Sequence, residues 1–225
     1  MGNFGIYYFQ NTFVFTCVLK VVNDMTSYEI AKQVLQQAGG IAKTSQFREA
    51  GLENYTLCAL CEKGLIVRVR HGYYQLADAA NLTEAQLLER LLPDGIICME
   101  SALFYYGYSD FTPRLWTVAV PRTVSRTRLK IDAVPLKPYF VQEKLLDLGK
   151  ASAEINGAQL PIYDRERTIC DCFKYRAKMD NELFSKALNA YANDTNKNLK
   201  NLSAYAKKLR VYKKVTELME VLLNG

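Results

Sequence analysis

A chain of 225 residues that is 49% hydrophobic and 12% aromatic, with no low-complexity tract, reads as folded and is long enough for one large domain or two small ones. Its formal net charge of +6 permits a nucleic-acid partner without requiring one. Six cysteines dispersed through a chain with no export signal argue against a disulfide framework and for reduced thiols in a cytoplasmic protein.

The first 24 residues are apolar and aromatic, but Gln10, Asn11 and Lys20 interrupt them. They lack the basic start and small-residue cleavage site of a signal peptide and are too broken for a spanning helix. The expectation is an over-extended start, with Met25 as the natural first residue and residues 1–24 outside any domain. Helix one is expected over roughly 27–38, capped by Thr26 or Ser27. Ile30, Val34, Leu35 and Ala38 form its apolar stripe, and Gly39-Gly40 stops it. "KTSQFREAG" predicts a second helix capped by Thr44 or Ser45 and ended at Gly51. "ENYTLCALCEKG" predicts a third, capped by Asn54 or Thr56 and stopped by Gly64, with Leu57, Leu60 and Cys61 on one face.

"LIVRVRHGYYQL" then alternates apolar and cationic residues about a His71-Gly72 pair of the right length for a two-residue hairpin loop. Strict alternation sets Val67, Val69, Tyr74 and Leu76 on one face and Arg68, Arg70, Tyr73 and Gln75 on the other. Three short helices followed by a basic hairpin are the layout of a winged helix-turn-helix, assigned to residues 25–78. In such a module the third helix enters the major groove of double-stranded DNA. Asn54, Tyr55 and Thr56 then face the bases, with Ala59 and Lys63 further along. Arg68 and Arg70 contact phosphates or the minor groove, with Tyr73 beside them and His71 at the tip. Thr44 and Ser45, at the start of the second helix, are placed to donate to a phosphate. From Met25 to Leu76 six cations face four acids, a net of only +2, so tight binding requires a dimer or cations from elsewhere.

From residue 80 to 225 the pattern is that of a mixed α/β domain with C-terminal helices, which makes the fold class α+β. "TEAQLLERLL" is a helix capped by Thr83, and "GIICMESALFYYGY" is a short entry and a helix stopped at Gly107. Strands are expected at "LWTVAVP", "TRLKIDAV" and "KPYFVQE", with a hairpin turn at Asn156-Gly157. Asp164 opens a helix over "DRERTICDCFKYR", and helices near 181–193, 201–209 and 211–223 close the chain. Two basic stretches offer a further surface: Arg122, Arg126, Arg128 and Lys130, and then Lys207, Lys208 and Arg210. "CALC" and "CDC" lack a partner pair with zinc spacing, and no metal or cofactor is expected.

The order of these pieces resembles the AbiEi family of antitoxins from type IV toxin–antitoxin systems. The phrases that carry it are "GGIAKTSQFREAGLENYTLCALCEKGLIVRVRHGYYQL", "PDGIICMESALFYYGYSD", "WTVAVPR" and "IYDRERTICD". A typical member has a histidine where Tyr106 precedes Gly107 here. The resemblance implies that residues 25–78 repress the protein's own operon by binding promoter repeats. It implies that 80–225, an antitoxin-like domain, counteract a nucleotidyltransferase-like toxin, with no stable complex assumed and no membrane involved. Three other readings stand beside it: a DNA-binding regulator without a toxin partner, an interaction module that ignores DNA, and a metal-dependent nuclease using Glu100, Asp164, Glu166 and Asp171. Against the last, Arg167 and Asp171 stand at i, i+4 as an ion pair and Asp164 suits a helix cap, so no catalytic residue is assigned.

Overall fold

Glycine stops and apolar spacing produce helices close to where the sequence places them. In the computed structural model, which describes residues 26–78 and 82–224, α1 spans 26–37 and Gly39 and Gly40 end it at left-handed φ of 71° and 102°. β1 (Ala42–Lys43), α2 (Thr44–Glu49), α3 (Asn54–Glu62), β2 (Ile66–Arg70) and β3 (Tyr73–Leu76) follow. The strands form an antiparallel sheet in the order β1-β3-β2. Leu35, Phe47, Leu57, Leu60 and Ile66 make the buried centre of this unit, and the Phe47 and Tyr74 rings meet edge to face at 5.8 Å. The expectation for residues 1–24 and for Met25 as the start falls outside the described residues.

Two caps differ from expectation. Lys43, not Thr44 or Ser45, is the N-cap of α2: its N–H donates to Gln46 Oε1 at 2.8 Å, while the Thr44 N–H is taken by the Gly72 carbonyl at 2.9 Å. Glu53, not Asn54 or Thr56, caps α3, because its carbonyl already accepts from the N–H groups of Thr56 and Leu57. In both cases the first helical turn starts at the residue expected to precede it.

The described chain divides into two compact units between Leu82 and Thr83. The second unit begins with α4 (Glu84–Leu91), capped by the Thr83 hydroxyl, which accepts from the Gln86 N–H. β4 (Ile96–Ile97), α5 (Met99–Tyr105), β5 (Trp116–Pro121), β6 (Leu136–Val141), β7 (Lys150–Ile155) and β8 (Ala158–Tyr163) follow. They build a mixed five-stranded sheet in the order β6-β5-β4-β8-β7, with β5/β6 and β4/β8 parallel. α6 (Arg165–Lys174), α7 (Asn181–Asn193), α8 (Leu199–Leu209) and α9 (Tyr212–Asn224) complete an α+β chain. α6 lies at its centre, buried throughout from Glu166 to Phe173.

The strand expected at "TRLKIDAV" is absent: a 3-10 turn over Arg126–Leu129 and irregular chain stand there. Parallel neighbours cannot be joined by a tight turn, so the segment between β5 and β6 serves as their crossover. Its apolar residues Ile131 and Val134 are buried as anchors rather than as a strand face.

Candidate nucleic-acid interface

The α3 helix turns Leu57 and Leu60 inward, and that fixes what it shows to solvent. Asn54, Cys58, Glu62 and Lys63 are exposed, and Tyr55 stands out most at 78% exposure. Thr56 and Ala59 are half-buried. Burial holds the Cys61 thiol above its ordinary range, reinforced by Cys58 and opposed by Arg68.

The hairpin departs from strict alternation. Ile66 pairs with Leu76, Val67 with Gln75 and Arg68 with Tyr74, but Arg70 pairs with Tyr73, so Val69 is the extra residue of a β-bulge. Directly opposed residues share a face. Arg68 therefore lies with Tyr74 on one side of the sheet and Arg70 with Tyr73 on the other, which corrects the expectation that both arginines share one face. The reason is core demand. Ile66 and Val69 are both buried at 1% exposure, and a period-two strand cannot bury residues three apart without a bulge. Val67, expected inside, is 45% exposed.

The two arginines consequently live in different surroundings. Arg68 is exposed, and its charge bears on Tyr74 and on Cys61 of α3. Tyr74 also hydrogen-bonds Thr44, and burial raises its hydroxyl above the ordinary phenol range. Thr44, α3 and Arg68 are thus brought together around Tyr74. Arg70 is only 8% exposed, and its guanidinium stacks over the Tyr73 ring at 4.2 Å. Lys43, paired with Tyr73 across β1, approaches the same ring at 5.8 Å. Ser45 and His71 are exposed, the latter at the hairpin tip. Lys43 and Cys58 also belong to this surface, and the sequence pattern does not single them out. Only pairing through a two-residue strand reveals the first. The second follows from helix phase, since burying Leu57 and Leu60 turns Cys58 outward.

The further basic residues are dispersed over the second unit. Arg122, Arg126 and Lys130 are exposed, while Arg128 is tied to Asp94 at 2.8 Å. Lys208 is exposed, Lys207 lies over the Tyr212 ring at 4.9 Å, and Arg210 ends α8 at a left-handed φ of 61°.

The carboxylates of the nuclease reading are individually engaged. Glu100 accepts from Lys137 at 2.7 Å. Asp164 caps α6 through the Arg167 N–H and accepts from the Tyr205 hydroxyl. Glu166 accepts from the Tyr191 hydroxyl and the Asn198 N–H, and Asp171 pairs with Arg167 at 3.0 Å. Among the described residues, no three His, Cys, Asp or Glu side chains group as a metal site.

Residues 29–77, the span from α1 through β3, match the family described as "Transcriptional regulator, AbiEi antitoxin". The chain resembles AbiEi antitoxin regulators. The match supports a regulator of the antitoxin type. No curated protein matches the chain. Among solved structures, the crystal structure of RV2827C protein from Mycobacterium tuberculosis is similar, with a TM-score of 0.60 at 12% identity, covering 88% of this chain and 80% of that one. At that identity the likeness concerns the fold. Among the described residues, no helix is long and apolar enough to cross a membrane.

Proposed function

We propose that the first unit is a winged helix-turn-helix that binds double-stranded DNA through α3. In this reading the chain is an antitoxin and autorepressor that binds repeats in its own promoter, and its second unit opposes a nucleotidyltransferase-like toxin without need of a stable complex. The observation that carries the DNA reading is the coincidence of the AbiEi match with the unit whose α3 exposes Asn54, Tyr55 and Cys58, flanked by Arg68. The toxin and promoter assignments rest on the resemblance. The reading is regulatory rather than enzymatic.

In this reading the two arginines of the hairpin have separate roles. Arg68, exposed beside α3, neutralises a phosphate, whereas Arg70 orders the Tyr73 face of the sheet. Binding is to be measured by fluorescence anisotropy on the DNA upstream of the gene and on a scrambled duplex, over a range of salt. Wild type is expected to prefer the upstream DNA. Arg68→Ala is expected to lower the slope of log K against log salt by roughly 0.9, one phosphate contact, and Arg70→Ala to leave it unchanged. Maleimide attached at Cys58 blocks binding if α3 enters the groove, while a Cys58→Ser variant treated the same way retains it. Equal binding to both duplexes, or full binding by the labelled wild type, refutes the assignment.

A further inference from the structure

The second unit carries two adjoining clefts that the regulatory reading does not use. The larger, about 430 Å³, is walled by Phe104, Tyr105 and Trp116, and its lining includes Glu84 but neither lysine nor arginine. Its size lies within the range of small-molecule sites. Phe104 and Tyr105 are 42% and 43% exposed, rings from the end of α5 left open to solvent. Trp116 is held in place: its indole Nε1–H donates to Glu84 Oε2 at 2.6 Å, and Glu84 is fixed in the first turn of α4. A preset aromatic wall beside a carboxylate suits a flat heterocycle, with stacking on the rings and an exocyclic amine donating to Glu84.

The smaller cleft, about 210 Å³, shares Pro113 and Leu115 with the first, and its charged lining is Arg114, Lys137 and Glu100. Lys137 is already paired with Glu100, but Arg114 is exposed and makes no ion pair among the described residues. The loop that lines both clefts is tethered to α7 by the Asp110–Lys186 ion pair. Thus an aromatic compartment with an acid adjoins, across Pro113 and Leu115, a compartment with a guanidinium that has no ion-pair partner among the described residues. That charge order matches a base followed by a phosphate, and Arg is suited to bidentate contact with phosphate.

We propose that these clefts bind one nucleotide unit, the base against Trp116 and Tyr105 and the phosphate on Arg114. Glu84 favours bases with an exocyclic amine over uracil. The nucleotide is either free or the end of a single strand, since both present the same chemistry.

Trp116 is the single tryptophan of the chain, so its fluorescence reports on the larger cleft. The full chain is to be titrated with AMP, adenosine, UMP, inorganic phosphate and a short oligodeoxyadenylate, with free tryptophan amide correcting for absorption and calorimetry run in parallel. AMP is expected to quench saturably, adenosine to bind about tenfold more weakly and UMP several-fold more weakly. Arg114→Ala, an exposed change, is expected to bring AMP down to the affinity of adenosine. An oligonucleotide at least tenfold tighter than AMP, and sensitive to Arg114→Ala, supports the site with a strand end as its ligand. Comparable affinities support it with a free nucleotide. Equal affinity for AMP and adenosine, an unchanged AMP affinity in Arg114→Ala, or silence in both methods at millimolar ligand overturns the proposal.

Discussion

The β2–β3 and β7–β8 hairpins have loops of equal length and a glycine in the second loop position, yet they behave differently. In β7–β8 the loop is Asn156-Gly157. Both residues are left-handed, at φ 48° and 76°, and the register runs without interruption from Ile155↔Ala158 to Lys150↔Tyr163. In β2–β3 the loop is His71-Gly72, where Gly72 is left-handed at 76° and His71 is not, and the ladder breaks at Val69. Two-residue turns that match the twist of their strands need positive φ at both positions or at the first. Asn enters that region readily and His less so. Where the turn supplies only one left-handed residue, the bulge that the core already demands for Ile66 and Val69 also adds right-handed twist. The turn is thereby linked to the side of the sheet on which Arg68, about 10 Å of chain away, emerges.

The hairpins also differ in what anchors them, and this gives the largest expected effect. The loop leading into β7 is clamped by Arg167 of α6, wholly buried, whose Nη1 donates to the carbonyls of Leu145 and Leu148 at 2.7 and 2.9 Å. Its Nε bonds Asp171, and the guanidinium lies 4.1 Å from the Tyr163 ring centre. Arg167→Met is expected to destabilise the chain by about 3–5 kcal/mol in urea denaturation, because it leaves Asp171 buried without its cation. Arg167→Met/Asp171→Leu should be milder than the single change. A single variant as stable as wild type would show that the clamp does not hold β7–β8.

A medium effect tests the bulge. Val69 is 1% exposed, so Val69→Ala should cost about 2 kcal/mol from lost burial and the cavity left behind. Val67→Ala, at 45% exposure, should cost far less. Under uninterrupted alternation the two valines are equivalent, so equal losses would restore that register.

These positions also mark what the sequence reveals. Helix stops at Gly39, Gly51, Gly64 and Gly107, the Thr83 and Asp164 caps and the Asn156-Gly157 turn are local, and a local signal suffices for each. The Arg167–Asp171 pair likewise follows from helical spacing. The hairpin faces do not. "LIV" offers three consecutive apolar residues, and only the core decides that Ile66 rather than Val67 goes in. The crossover over 122–135 was equally opaque, since the choice between strand and connection depends on β6 lying parallel to β5. For the same reason Arg68 and Arg70 were legible as residues of interest but not as two separate devices, one solvated and one stacked.

The smallest effects discriminate between the turns most directly. Gly72 and Gly157 share φ 76°, and a Cβ added at either meets nothing closer than 3.5 Å, so each Gly→Ala change pays only backbone strain, about 1 kcal/mol. They serve as a matched control. The preceding residues should then diverge. Asn156→Ala removes a residue tolerant of its left-handed φ of 48° and should cost about 0.5–1 kcal/mol. His71→Ala removes an exposed side chain from a residue that is not left-handed and should stay within about 0.5 kcal/mol of wild type. Thermal melts of the four single variants check this directly. If His71→Ala costs as much as Asn156→Ala, the left-handed φ of Asn156 is not what separates the two turns. The bulge at Val69 must then originate in the burial of Ile66 and Val69 alone, with no contribution from the turn.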